Sequence, residues 1–539
     1  MSEPVTPAPV IELTDAELDG LIARLEHAIA HDLALSGDDL RVLLQVLLSF
    51  AHWHERLSEK DITLHKLRKL AGLVSASEKL SGLVGVPTSP KVRQSSVKPT
   101  QPAIKPVIHA RCTHAIEGLL KGQVCPACER GKLYRYAPSS LIRISGESPL
   151  KVTQHLLERL RCTTCGVYFT AELPADVKTD GPHEQTYGYS ARAVMALHKY
   201  YAGLPFYRQH TLQQLFGVPI SASTVFDQCE ALANAVKPVT DALIKQAAGA
   251  VHYYLDDTTN RIVNQGPIQK ANRKTGQLTT RSGIYTSGVI ATLESGAAIL
   301  LFQTNIGHAG EWIDELLQPR PPDAPVPIIM CDALSRNFPS QCGFEKSLCN
   351  SHARREFVDV LEHFPDKVPW VLEQYGQIWR NEAHCQEQGL SPSQRLTYHQ
   401  TQSLPVMTAL RQWGQSQLDS GTVEANSGLG KAISYFERHF VGLTAFCRLE
   451  SAQLDNNRLE QALKLVIRNR KNALFFKTLA GAAIADVLLS LIATAAQAGI
   501  NVFEYLIVLQ RHGEAVKQNP EQWLPWTYQD TLQALELAA

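Results

Sequence analysis

Cys125-Pro-Ala-Cys128 and Cys162-Thr-Thr-Cys165 form two C-x-x-C pairs separated by residues 129–161. Four thiolates in this pattern supply a tetrahedral Zn²⁺ site, and each pair is followed by a glycine, Gly131 or Gly166. The β-like runs 132–138, 140–146 and 167–173 hold few large apolar side chains, so a module built from them needs the metal to fold. The expectation is a small ribbon with structural zinc at Cys125, Cys128, Cys162 and Cys165, against unpaired thiols or a redox dithiol. Cys112 and His114 stand nearby and are read as ordinary residues. The eleven cysteines of the chain, an odd number, make a poor disulfide framework.

At roughly 150 residues per domain, 539 residues suggest three or four domains. A hydrophobic content of 44% excludes wholesale disorder. With 52 basic against 52 acidic residues, the chain does not hold nucleic acid by bulk positive charge, although local basic patches stay open. Residues 1–84 read as a helical, oligomerising module: Thr14 or Asp15 caps a run with Leu18, Leu21, Ile22, Leu25 and Ile29 at helical spacing. Residues 85–111 carry five prolines, five basic residues and no acid, the composition of an extended linker that either touches phosphates or is a solvated spacer. The ribbon follows over 112–180, a helical region over 181–247, an α/β region over 248–510 with helices about 360–450, and a tail over 511–539. The N-terminus lacks a signal pattern. The apolar stretch Leu479 to Ile500 contains Asp486, Ser490, Thr494 and Gln497, which favours a buried helix over a membrane span. A soluble, cytosolic protein with no membrane partner is expected.

Phe206–Phe216 reads as one helix, Gly217 as a turn, and Ser221 as the cap of a second helix starting Ala222-Ser223-Thr224. This is the outline of a helix-turn-helix, and equally of any two helices joined by glycine. In the α/β region, the strand-like run 250–263 puts His252, Tyr254 and Asp256 on one face and Tyr253, Leu255 and Asp257 on the other. Residues 326–332 (VPIIMCD) form an apolar strand ending in Asp332. A helix capped by Asp455 or Asn456 carries Glu460 in its first turn. Ionised acids at the ends of buried strands are costly unless they are paired or bind metal. Three of them together suit two divalent cations, Mg²⁺ or Mn²⁺, for in-line attack on a phosphodiester. Behind Glu460, Lys464, Arg468 and Lys471 share one helix face beside Arg470, and Arg354 and Arg355 follow Cys349 and His352. These cations are candidate phosphate contacts, or a solvated helix edge. Cys349 and His352 have metal-compatible spacing, but two ligands are too few for zinc.

The ordered series resembles the transposases of the insertion sequence 66 family. It comprises Ser77-Glu-Lys-Leu80, the double C-x-x-C ribbon, Lys199 to Gln209 (KYYAGLPFYRQ), Ser221-Ala-Ser-Thr224 and Leu255-Asp-Asp-Thr258. It continues with Cys331-Asp332-Ala333, Cys349 to Phe357, Leu454-Asp-Asn-Asn457 with Glu460, Arg470-Lys-Asn472, and Leu524-Pro-Trp526. The resemblance implies an RNase H-like catalytic core interrupted by a large helical insertion, with Asp256, Asp332 and Glu460 as a DDE triad. It implies cleavage and strand transfer at the ends of a mobile element, without a covalent protein–DNA intermediate. It also implies double-stranded DNA as partner, a homo-oligomer, accessory proteins from the same element, and residence at a bacterial nucleoid. A non-catalytic DNA-binding protein and a nuclease without strand transfer are the other readings. Asp257 stands where the family usually has Glu, Gln461 where it commonly has Arg, and Leu-Phe-Phe-Lys-Thr-Leu-Ala over 474–480 replaces a glycine-rich segment.

Overall fold

A computed structural model describes residues 15–31, 33–46, 121–124, 126, 130, 132–133, 148–161, 163, 168–271 and 277–538. The four cysteines of the C-x-x-C pairs, Cys112, His114, residues 85–111 and Ser77 to Leu80 lie outside the described residues. Helix α1 (Asp15–Ala30) is followed by a helical run over 37–46, and Arg24 meets Asp39 at 2.9 Å. Further on, β1 (Arg159–Arg161) pairs antiparallel with β2 (Tyr168–Thr170), the Arg159 guanidinium 4.7 Å from the Tyr168 ring centre. Val124 bridges Lys132 in the same sense. In sequence, each C-x-x-C pair falls between two residues paired in this way.

Three helices then lead into the sheet: α2 (Tyr189–Ala196), prolonged by a π turn at Leu197–Tyr201, α3 (Phe206–Leu215) and α4 (Ala222–Ala247). Gly217 (φ +75°) supplies the left-handed residue between α3 and α4, and Ser221 Oγ accepts from the Thr224 N–H at 3.0 Å. Val225, Cys229, Leu232, Val236, Val239 and Leu243 recur at three-to-four spacing along α4, and all are buried. They share one core with the sheet, so residues 181–247 are continuous with the α/β region rather than a separate body.

The sheet contains β3 (His252–Asn260), β6 (Ile284–Thr292), β7 (Ala298–Asn305), β8 (Ile328–Cys331) and β9 (Glu345–Leu348), in the order β7-β6-β3-β8-β9. The first three are antiparallel neighbours, while β8 and β9 run parallel to β3. A side hairpin, β4 (Ile268–Ala271) with β5 (Leu278–Arg281), leaves the sheet between β3 and β6. Helix α5 (Ala309–Leu317) links β7 to β8. After β9 come α6 (Asn350–Val358), α7 (Val368–Glu387), α8 (Pro392–Gln402), α9 (Leu404–Asp419) and α10 (Gly428–Leu443), which enclose a second core around Val371, Tyr375, Ile378, Phe436 and Phe446. The chain then returns to the sheet as α11 (Asn457–Ala473) and α12 (Leu479–Gln497).

Helix α12 is long and apolar enough to cross a bilayer, yet its polar residues have a specific task. Asp486, Ser490 and Thr494, four residues apart, accept the outward N–H groups of Thr304 (2.7 Å), Phe302 (2.8 Å) and Leu300 (3.0 Å), two residues apart on β7. Four helical residues rise about 6 Å and two strand residues slightly more, so the two spacings match. Ser490→Ala is expected to leave the Phe302 N–H buried and unpaired, at a cost of about 1–3 kcal/mol, measured by urea unfolding against the parent.

Leu474, just past α11, has φ +69° and ψ −38°, and the Phe475 N–H donates to Ala473 O at 2.9 Å. This is a γ-turn in a region that L-residues avoid. It turns the chain so that Phe476 bridges Ile262 beyond β3. A leucine thus bears the turn in the segment where a glycine-rich sequence was expected from the resemblance. Leu474→Gly is expected to raise stability by roughly 1 kcal/mol, read as a higher urea midpoint. The final helices, α13 (Val502–Arg511), α14 (Gly513–Gln518) and α15 (Tyr528–Ala538), are no loose tail. Val516, Trp523, Leu524 and Tyr528 are buried in the main core, and the Tyr505 hydroxyl donates to Trp523 O at 2.6 Å.

Candidate active site

Parallel register sets the first two acids side by side. Tyr254 on β3 lies opposite Met330 on β8, so two residues further along the same face Asp256 stands beside Asp332. The third acid is brought by α11. Asp256 pairs across β6 with Gly288, where an added Cβ would lie 3.0 Å from Leu463 and 3.1 Å from Leu459 of α11. The missing side chain lets α11 sit down on the sheet. Its start is pinned by Asn456 Nδ2 donating to Leu255 O (3.1 Å) and by Asn350 Nδ2 donating to Leu454 O (3.1 Å). Glu460, in the first turn of α11, therefore comes within electrostatic reach of Asp256.

The electrostatics reflect this convergence. Burial pushes the Asp256 carboxyl up to about 7 from its ordinary 3.8. The charges of Asp332, Glu460 and Asp257 add to the rise, while the Asp257 N–H, donating to Asp256 Oδ1 at 2.8 Å, opposes it. Asp332 Oδ1 accepts from Leu334 N–H (3.1 Å) and Asn337 Nδ2 (2.8 Å), which fixes its rotamer. Glu460 Oε1 is buried without a hydrogen-bond partner and lies 3.7 Å from His352 Nδ1. Three acids, one of them with an unsatisfied oxygen, form a donor set of the hard kind that divalent magnesium prefers.

Asp257 faces the other way. Its Oδ1 accepts from Ser287 Oγ (2.6 Å) and the Ala309 N–H (3.0 Å), and its Oδ2 lies 3.0 Å from His308 Nδ1. It ties β3 to the start of α5, a structural duty. The capping expectation for α11 holds for the position and not for the side-chain bond. Asn456 holds the cap position, but its side chain goes to β3. Asp455 accepts from Asn457 N–H (3.0 Å), Asn457 Nδ2 (2.9 Å) and Trp379 Nε1 (3.1 Å) of α7. That set fastens the helical insertion to the helix bearing Glu460, a link that sequence spacing did not reveal.

The basic residues divide into two groups. Lys464 and Lys471 are exposed on α11. Arg468 donates to Tyr201 O (2.9 Å) and covers Gly203, and Arg470 bonds Thr258 and Thr259 at the end of β3. Both were expected at phosphates, and both also make internal bonds, exposed Arg468 to the turn after α2 and half-buried Arg470, on another side of α11, to the end of β3. Arg354 and Arg355 sit half-buried on α6, each engaged by the protein. Cys349 is buried, its thiol pushed up to about 12 by that burial while the N–H groups of Asn456 and His352 pull it down.

Residues 184–484 match the profile described as "Transposase IS66 family". The chain belongs to that family. The IS66-family chain is also 34% identical over 190 residues to "Uncharacterized protein y4jD" of Sinorhizobium fredii, an alignment covering 34% of this chain and 36% of that one. To "Uncharacterized protein y4hP" of the same organism it is 24% identical over 399 residues, covering 70% of this chain and 68% of that one. The alignment thus spans about a third of the first relative's length and about two thirds of the second's.

Proposed function

We propose that this IS66-family chain is a DDE transposase that cleaves phosphodiesters at the ends of an insertion sequence and joins the 3′ ends to target DNA. The observation that carries the reading is the meeting of Asp256, Asp332 and Glu460 from two parallel strands and one helix, close enough for two of the charges to raise the third acid. The strand order, with β6 antiparallel to β3 and with β8 and β9 parallel to it, supports an RNase H-like core. The Asp256, Asp332 and Glu460 carboxylates would hold Mg²⁺ or Mn²⁺. Bound there, the cations activate the attacking oxygen and stabilise the leaving one.

The residues themselves do the positioning. The bonds to Asp332 Oδ1 fix its carboxyl and would leave Oδ2 for a cation, and the Asp257 N–H on Asp256 Oδ1 would do the same for Asp256. Exposed Lys464 and Lys471 would take the DNA backbone as it approaches Glu460. The α3–turn–α4 unit, with polar Ser221, Ser223 and Thr224 opening its second helix, would engage duplex DNA. Structural zinc at Cys125, Cys128, Cys162 and Cys165 is supported by the antiparallel pairings flanking each pair. Action as a multimer on paired ends, with accessory proteins and in the cytoplasm, completes the proposal. Incubating the chain with element-end duplex and Mg²⁺ is expected to give nicked strands with 3′-hydroxyls and joined products. Nicks without joining would leave a nuclease, and DNA binding without either would leave a binding protein.

A further inference from the structure

Cys349 stands at the N-cap position of α6, His352 one turn in, and Glu460 in the first turn of α11. One ligand atom from each lies within 4.8 Å of the others, and His352 Nδ1 is 3.7 Å from Glu460 Oε1. Tetrahedral zinc ligands, each about 2.0–2.3 Å from the ion, stand roughly 3.5 Å apart. Small side-chain movements therefore bring this set to ligand geometry.

Two observations favour a cation over a hydrogen-bonded trio. His352 Nδ1 and Glu460 Oε1 are both buried with no hydrogen-bond partner, and their separation is too long for a bond to each other. The Cys349 sulfur, at the positive end of α6, accepts the Asn456 N–H at 3.2 Å and is also met by the His352 N–H; these donors oppose the burial that keeps the proton on the free thiol, and a bound cation would displace that proton.

We propose that Cys349 Sγ, His352 Nδ1 and Glu460 Oε1 bind one thiophilic divalent cation, Zn²⁺, at a site that adjoins the carboxylate cluster through Glu460. Thiolate and imidazole select zinc over magnesium, and a fourth position is left for water or substrate. The thiol proton is released on binding. Glu460 is then shared: one oxygen is fixed by zinc, and the other is left for Asp256 and Asp332. The helix N-terminus carrying the third acid is thereby fastened to α6. The site does not depend on Glu460 serving phosphodiester chemistry.

The test is the metal content of the full chain, purified with Zn²⁺ and dialysed into metal-free buffer. Cys349→Ser and His352→Gln are each expected to hold one zinc equivalent fewer than the parent, whatever number the C-x-x-C pairs retain. In Co²⁺-substituted protein, Cys349→Ser is expected to lose part of the thiolate-to-cobalt charge-transfer absorption. His352→Gln keeps the test alive if the cysteine variant does not fold. Equal zinc content and identical cobalt spectra in parent and both variants would overturn the proposal. Asp332→Asn on the same assays separates the two readings, since it is expected to keep every zinc equivalent and to lose Mg²⁺-dependent cleavage.

Discussion

Asp332→Asn is expected to lower Mg²⁺-dependent cleavage of element-end DNA by roughly 10³-fold or more, since losing several kcal/mol of charge stabilisation has that effect. DNA affinity is expected to stay level or rise slightly, because one negative charge leaves the site. The substitution is a clean test because the fold asks only for an oxygen. Oδ1 carries both internal bonds, from Leu334 N–H and Asn337 Nδ2, and asparagine retains it. The replaced atom is Oδ2, and an amide nitrogen in its place cannot ligate a cation. Cleavage within tenfold of the parent would remove Asp332 from the chemistry, while loss of binding as well would point to a damaged fold.

The Mg²⁺-free protein is expected to lose stability as pH rises from about 4 to about 7. Asp256 is raised by burial from its ordinary 3.8 to about 7, so between those values the folded chain binds a proton that the unfolded chain has released. Stability then falls with rising pH, the reverse of a salt-bridged carboxylate. Asp486, half-buried against β7 and also pushed to about 7 by burial, contributes in the same direction. The Asp256 shift is worth at most on the order of 4 kcal/mol. Accordingly, Asp256→Asn is expected to stabilise the Mg²⁺-free protein at pH 8 by a fraction of that amount, and to abolish stabilisation by added Mg²⁺. Urea unfolding with and without Mg²⁺ at pH 5 and pH 8 reads both effects. An Asp256→Asn protein no more stable than the parent at pH 8 without Mg²⁺ would sink the account.

How much of this was legible in sequence depended on whether the constraint was local. The alternation in 250–263 put Asp256 and Asp257 on opposite faces, and the structure gives them opposite partners, the acid cluster and α5. Gly217, Ser221 and the start of α4 follow local turn and cap chemistry, so spacing sufficed. The meeting of Asp256 with Asp332 needed a parallel register set 76 residues away, and the approach of α11 needed the open space at Gly288. Neither leaves a periodic trace. Cys349 and His352 lacked a third ligand in sequence because Glu460 arrives more than a hundred residues later. The ridge of Lys464, Arg468 and Lys471, with Arg470 beside it, was legible as helical spacing, but the internal bonds of Arg468 and Arg470 were not, because spacing reports a face and not what packs against it.

The lid that α12 places on β7 has a consequence for how the chain is made. β7 ends at Asn305, and its three hydrogen-bond acceptors begin at Asp486. At roughly 5–20 residues per second, a ribosome exposes the finished strand for roughly 10–40 s before its partner exists. Throughout that interval the sheet offers a bare row of amide hydrogens to any other nascent strand. A copy of the gene shortened before codon 479 encodes all three acidic residues and none of the protection. Its product is expected to be lost to aggregation rather than to persist as a competitor for DNA.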